Sequence, residues 1–286
     1  MKTAELFQKK TVLSYEVFPP KRTAPISTLE STLNVLKDLH PDFISVTYGA
    51  SGGQNNGETF RIASVIKKKY GIESAAHLTC IGLTKADVDK KLAELKEGGI
   101  ENILALRGDI PPCGCPSGDF QYASDLISYI KSHGSFNILA ACYPEGHIES
   151  QSKVEDIRHL KAKIDAGADQ LITQLFFDNR YFYSFLERCQ LAGISVPIEA
   201  GIMPVINKKQ IERMTSLCGA TVPDKFATMM EKYEDNPIAM RDAGIAYAVN
   251  QIVDLIAHGV DGIHLYTMNN PYIARKIYEA VQNIIA

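Results

Sequence analysis

Several side chains able to do chemistry fall at or just beyond the ends of short apolar runs. Glu16 interrupts the run LSYEVF, between Tyr15 and Val17. A carboxyl there either points outward to pair with a lysine or sits desolvated in a cleft. In a cleft its pKa rises and it can serve as a general acid near neutral pH, and the concentration of such perturbed groups at active sites favours the acid. His77 and Thr79 close another run; His77 taken alone also fits a satisfied core histidine. Arg107-Gly108-Asp109 follows the run NILAL directly. A glycine there lets a ligand approach the backbone, and its charged neighbours can make charge-assisted hydrogen bonds; an ordinary surface turn has the same composition. Thr47-Tyr48-Gly49, Tyr143-Pro144-Glu145 with His147 beyond it, and Gln174 complete the set.

The runs that must position these groups recur at a steady interval. They occupy 13–18, 43–48, 74–79, 102–106, 137–143, 170–176, 197–202 and 262–266, with starts 27 to 35 residues apart until a last gap of 65. Most are continuously apolar, as parallel strands covered on both faces require. Helix signals lie between them: Ser27 and Thr28 with Glu30 as a capping box, Thr84 to Asp87 opening a second helix, and Gly98-Gly99 stopping it. Eight strands alternating with helices predict a single α/β domain over 1–286, a (β/α)8 TIM barrel with an extra helical segment between strands 7 and 8. Barrel active sites lie at the C-terminal strand ends, where these polar residues collect. The stretch 176–183, FFDNRYFY, reads as a packed strand-to-helix junction rather than a stacking platform.

Composition narrows the classes. The chain has 33 acidic and 30 basic residues and a formal charge of −3, which excludes nucleic-acid binding by bulk electrostatics. With 45% hydrophobic and 22% charged residues it is a globular composition. No run of 18 apolar residues spans a membrane, and the first twenty residues lack a secretory pattern, so a cytoplasmic protein is expected. Neither a Gly-x-Gly-x-x-Gly turn nor a P-loop occurs. Six cysteines are too sparse for a disulfide framework. Cys113-Gly-Cys115 with His147 could hold a metal, but paired zinc motifs space their cysteines as CxxC, so no metal is expected.

The motifs also carry a resemblance. Glu16-Val-Phe-Pro-Pro20, Ser45 to Ala50 (SVTYGA), Ala76 to Cys80 (AHLTC) and Leu104 to Pro112 (LALRGDIPP) resemble the bacterial methylenetetrahydrofolate reductase family. Tyr122 to Leu126, Tyr143 to Glu145, Lys163 to Ala168, Thr173-Gln174, Gly201 to Pro204 and Leu265 to Asn269 extend the resemblance in order along the chain. It implies an FAD-containing barrel enzyme that reduces 5,10-methylenetetrahydrofolate to 5-methyltetrahydrofolate, with NADH or NADPH as donor in a ping-pong reaction, and a homo-oligomer. By the same resemblance, FAD is held by Thr47, His77, Arg107, Gly108, Asp109, Tyr122, Ala123, Tyr143, His147, Asp156 and Lys163. Glu16 is then the general acid for the departing N10. Asp109 lowers the flavin potential and favours a cationic folate, and Gln174 contacts the pterin alongside Glu16 and Asp109.

Three departures accompany the resemblance. Lys208 stands where relatives place an aromatic residue that stacks on substrate, Asn270 stands where many have arginine, and the loop 113–119 is slightly longer. They motivate an alternative: a flavin- or folate-binding subunit of a larger assembly that receives electrons from a protein partner. A pterin enzyme without flavin is a third reading.

Overall fold

In a computed structural model of the chain, residues 1–20, 27–48, 58–110, 114 and 117–285 are described. The two cysteines 113 and 115 fall outside them, as do the side chains of the Ser27 and Thr28 cap. Eight parallel strands close in chain order into a barrel: β1 Val12–Val17, β2 Phe43–Val46, β3 Glu73–Thr79, β4 Asn102–Leu106, β5 Asn137–Cys142, β6 Gln170–Thr173, β7 Ile198–Ile202 and β8 Gly262–Tyr266. β1 pairs with both β2 and β8, which closes the ring. A 3-10 turn, Thr3–Gln8, precedes β1.

Six helices each follow one strand: α1 Ser27–Lys37, α2 Glu58–Tyr70, α3 Lys85–Gly98, α4 Ala123–His133, α5 Lys153–Asp165 and α6 Asn179–Leu191. The long gap before β8 holds three more, α7 Lys208–Cys218, α8 Asp224–Lys232 and α9 Pro237–Ala257, and α10 Pro271–Val281 follows β8. α3 shows the sequence logic at work. Thr84 and Asp87, expected to open the helix, form a reciprocal cap, Val88, Leu92 and Leu95 are buried at helical spacing, and Gly99 in the left-handed conformation ends the helix.

Strand alternation sorts the side chains into two environments. Leu13, Tyr15 and Val17 face outward into the apolar layer shared with the helices, so Ser14 and Glu16 face the barrel interior. Part of the interior is apolar, with Val12, Phe43, Ala75, Leu104, Leu139 and Ile172 in contact, while Asn102, Asn137 and Gln170 at the starts of β4, β5 and β6 are buried and polar. A separate cluster of Leu175, Phe177, Met203, Val205, Ile211, Phe226, Met230 and Met240 seats α7, α8 and α9 over the ends of β6 and β7. Phe177 is buried there, stacked on Phe226, while Phe176 is buried in the main apolar layer, stacked on Phe182, as a packed junction demands.

One strand is shorter than its apolar run. The run 170–176 predicts a strand to Phe176, but β6 ends at Thr173. Side chains replace the ladder there: Tyr266 Oη donates to the Thr173 carbonyl at 2.7 Å, and Gly201 N–H donates to Thr173 Oγ1 at 2.8 Å. Gln174 remains tied on the β5 side, its N–H donating to the Cys142 carbonyl at 2.7 Å.

Candidate active site

Glu16 sits near the mouth, its side chain 19% exposed, with Oε2 3.6 Å from His77 Nε2 and 3.8 Å from His264 Nε2. Neither imidazole nitrogen has a hydrogen-bond partner, and both are buried. Burial pushes the His77 pKa down to about 4, against an opposing attraction from Glu16. His77 is therefore neutral at physiological pH, and the Glu16 carboxyl gains no permanent cation from it. Tyr266 packs its ring edge against His264, and burial, with Glu16 beside it, holds its phenol protonated.

Backbone clamps fix this carboxyl. Thr267 Oγ1 donates to the Glu16 carbonyl at 2.6 Å. The Asn269 side chain accepts from Phe18 N–H at 3.0 Å and donates to Phe18 C=O at 2.8 Å. Asn269 itself has φ +53°, a left-handed conformation that asparagine tolerates better than most residues. The end of β8 thus holds the end of β1 by three hydrogen bonds. Asn270 caps α10 by accepting from Ile273 N–H at 3.3 Å.

A second cluster lies a few strands away, across the ends of β4 and β5 and the start of α5. Arg107 makes a bidentate ion pair with Glu149 at 2.6 and 2.7 Å. The pair raises the Arg107 pKa and lowers that of Glu149. His147 Nδ1 accepts the Glu149 N–H at 3.1 Å, so its Nε2 carries the proton when the ring is neutral; burial lowers its pKa. Asp156, buried in the first turn of α5, accepts from His147 N–H and Ser150 Oγ. Lys163 donates to the Ala141 carbonyl at 2.8 Å and lies over the Tyr143 ring. Burial depresses its pKa and raises that of the Tyr143 phenol. Asp109 is exposed beside Arg107 and Tyr143.

Gly108 takes φ +91°, and a Cβ there would lie 2.9 Å from Ile81 Cγ2, so only glycine keeps this backbone flat at the rim. Tyr122 exposes its ring just before α4 and Ala123 is buried in the first turn of that helix. Thr47 is half-buried at the end of β2. Gln174 accepts Leu175 N–H on its own side-chain oxygen and is half-buried next to Thr173.

Of the residues singled out from sequence, the structure gathers Glu16 and His77 at the mouth, and Arg107, Tyr143, His147, Asp156 and Lys163 at the rim. Glu145 is not among them: it turns away to accept Thr221 N–H at 3.0 and 3.1 Å. Lys208 is held in an ion pair with Glu234 at 2.7 Å. Sequence reasoning missed Ser14 and His264. Both were detectable, because Ser14/Glu16 and His264/Tyr266 are polar pairs two apart inside apolar strands, the spacing of one interior face. Among the described residues no group of three His, Cys, Asp or Glu side chains is arranged to hold a metal. Cys142 and Cys189 are free and buried, Cys218 is free and half-buried, and Cys80 is buried with its Sγ against the Arg107 and Tyr122 carbonyls. No helix is long and apolar enough to cross a membrane among the described residues.

Comparison with known proteins adds an independent line. A family model described as methylenetetrahydrofolate reductase matches residues 2–282. The 5,10-methylenetetrahydrofolate reductase of Pectobacterium carotovorum subsp. carotovorum is 39% identical over 274 residues, covering 96% of this chain and 91% of that protein. The enzyme of the same name from Escherichia coli K12 is 39% identical, covering 93% and 88%. Methylenetetrahydrofolate reductase (NADH) 1 of Arabidopsis thaliana is 37% identical over 92% of this chain and 47% of its own length. Among solved structures, a Clostridium thermocellum protein that binds two copies of 5-methyl-5,6,7,8-tetrahydrofolic acid superposes with a TM-score of 0.69 at 13% identity, covering 98% of this chain and 96% of that one. That likeness speaks to the barrel alone.

Proposed function

This chain belongs to the methylenetetrahydrofolate reductase family, and on that premise we propose that it reduces 5,10-methylenetetrahydrofolate to 5-methyltetrahydrofolate with a bound FAD. The single observation that carries the catalytic reading is Glu16: an inward carboxyl at the mouth of the barrel, clamped through its own backbone and flanked by two imidazoles.

The rim fits a flavin dinucleotide. Arg107 and Lys163 supply cationic donors for pyrophosphate and ribityl oxygens, Gly108 offers a flat backbone, and at the adjoining mouth the orphaned Nε2 of His77 is a buried polar atom in want of a partner. Thr47, Asp109, Tyr122, Ala123, Tyr143, His147 and Asp156 complete the proposed cradle. When bound, FAD supplies hydride transfer, and the protein supplies position and field. NADH is the proposed donor, in keeping with the name of the plant relative.

Glu16 gives its proton to N10 of the folate, and the five-membered ring opens to a cationic iminium that accepts hydride. A carboxyl positioned at the barrel mouth can act as general acid to the departing nitrogen. Asp109 favours the cation by its negative charge, and Gln174 offers an amide to the pterin. The reading of the chain as a subunit fed by a protein partner draws no support from the relatives, which are named as reductases.

The test is direct. Purified chain should be yellow, with a flavin spectrum bleached by NADH and restored by methylenetetrahydrofolate as methyltetrahydrofolate forms. A colourless preparation that binds no added FAD would overturn the flavin, and flavin bleaching without folate turnover would overturn the substrate.

A further inference from the structure

Below Glu16 the barrel interior carries a line of buried polar groups with no part in the reaction as described. Ser14 lies two residues before Glu16 on the same face of β1. Its Oγ donates to Glu199 Oε1 at 2.6 Å and lies 2.6 Å from His264 Nδ1. The other nitrogen of that ring, Nε2, faces Glu16 Oε2 at 3.8 Å without a hydrogen-bond partner. Ser14, Glu199 and His264 are all fully buried.

The far end of the line is fixed. Gln170 Nε2 donates to Glu199 Oε2 at 3.4 Å. Its amide is oriented because its Oε1 accepts from Thr3 Oγ1 at 2.8 Å and Asn137 Nδ2 at 3.2 Å. Gly262 stands opposite Glu199 in register, and a Cβ there would lie 2.8 Å from Glu199 Cγ. The barrel has made room for this carboxyl.

We propose that Glu199, acting through Ser14 and His264, is a positioning residue that shares one proton with Glu16 and so decides when Glu16 is an acid. The proposal rests on the reading of Glu16 as proton donor. A serine hydroxyl has one hydrogen. When Glu199 is a carboxylate, Ser14 gives that hydrogen to Glu199, and His264 Nδ1–H must donate to Ser14. The neutral ring then presents a bare Nε2 to Glu16 and accepts from its protonated carboxyl. When Glu199 is a carboxylic acid, it donates to Ser14, Ser14 donates to Nδ1, and Nε2–H faces an ionised Glu16.

The two states hold the same protons and differ only in which end of the line, Glu199 or Glu16, carries the carboxyl hydrogen. The Glu199 O–H bond breaks as a Ser14 O–H forms, the old Ser14 O–H breaks as Nδ1–H forms, and Nε2–H breaks as the Glu16 O–H forms. No electrons enter or leave. The Nε2–Oε2 gap must close by about 1 Å to reach hydrogen-bonding distance. Burial raises the Glu199 pKa to about 7, which leaves both forms accessible near neutrality. The groups that face Glu199 are Ser14 on β1, Gln170 on β6, His264 on β8 and Asp42 ahead of β2. Those that face Glu16 are His77, His264 and Tyr266.

Glu199→Gln tests the line without changing its size. Because Gln170 donates toward the second oxygen, the new amide turns its oxygen to Gln170 and its NH2 to Ser14, so the Ser14 hydrogen goes to Nδ1. Nitrogen-15 spectra of histidine-labelled full chain, with His264 assigned by loss of its signals in His264→Gln, report this directly. At pH 8 we expect Nδ1 protonated in the wild type and bare in Glu199→Gln. Nδ1 bare in the wild type, or protonated in both proteins, overturns the proposal, and the wild-type spectrum decides even if the variant does not fold. In stopped flow, Glu199→Gln should move the decline of folate reduction with rising pH at least one unit lower, leaving flavin reduction by NADH unchanged; an unmoved decline also overturns it. If Glu16→Gln still reduces folate, the acid reading fails, while the nitrogen spectra still report on the Glu199 line.

Discussion

The mouth of the barrel and the rim across β4 and β5 hold their charged groups by opposite means. At the mouth, Glu16 lies among His77, His264 and Tyr266 with no lysine or arginine pairing it among the described residues, and the two nearest imidazole nitrogens are unpartnered. At the rim, Arg107 is locked to Glu149, His147 and Asp156 are tied by backbone donors, and Lys163 is tied to a carbonyl. Desolvation without pairing moves pKa values and leaves protons free to shift. Pairing keeps each partner charged and resists proton movement, and an anion that reaches Arg107 takes the place of Glu149. The first region is built to change protonation state, the second to keep it.

The sharpest way to break that division is Glu16→Gln. It should slow folate reduction by about a hundred- to ten-thousand-fold, the usual contribution of a positioned acid, while flavin content and reduction by NADH stay near wild type. Rapid mixing of each half-reaction checks it; equal loss in both would erase the division.

The next effect is on stability, and its sign differs between His77 at the mouth and Glu199 in the interior below it. His77 folds with a pKa of about 4 against an ordinary 6.5. The unfolded chain binds that proton first, so the contribution of His77 is present above pH 6.5 and is lost as pH falls toward 4. Glu199 folds with a pKa of about 7 against an ordinary 4.5. Its contribution is present below pH 4.5 and is lost as pH rises toward 7. Each slope is about 1.4 kcal/mol per pH unit, so the two oppose each other between pH 4.5 and 6.5. Urea denaturation of wild type, His77→Gln and Glu199→Gln across that window should therefore give variants whose stability, relative to wild type, tilts in opposite directions. Parallel curves would contradict the desolvation account.

At the rim, Arg107→Ala should weaken flavin binding by roughly ten- to a hundred-fold, as loss of about 1.5–3 kcal/mol from charge-assisted bonds implies. Equilibrium dialysis of FAD measures it, and the folate half-reaction of the loaded variant should keep its wild-type pH profile. A shifted profile would mean that the rim also handles protons. The smallest expected effect belongs to the clamp: Asn269→Ala removes two bonds to Phe18 and should cost about 1–2 kcal/mol of stability, read by denaturant midpoint. A loss of folate reduction beyond that of stability would show that the clamp aims Glu16.

The barrel was legible because its strands are continuous apolar runs and its helices carry caps and glycine stops, as at Thr84 and Gly99. Three helices between β7 and β8 fit the 65-residue gap. What periodicity could not reveal was the end of β6, since a ladder cut off by Tyr266 Oη and Thr173 Oγ1 depends on strands far apart in sequence. Glu16 and Arg107 stood out because charges inside or just beyond apolar runs are costly and therefore conspicuous. Ser14 and His264 did not, because each looks like an ordinary strand residue until barrel closure brings β1 against β8. Glu199 was hidden for the same reason: its partners lie on β1, β6 and β8.

The central claim is that the folate step draws a proton from the mouth while the flavin step does not. The most direct measurement is the pH dependence of the two half-reactions of wild-type protein in stopped flow. Reoxidation of pre-reduced protein by methylenetetrahydrofolate should slow tenfold per pH unit once Glu16 ionises, with flavin reduction by NADH lacking that decline. A folate step that is independent of pH, or that accelerates as pH rises, would contradict the account.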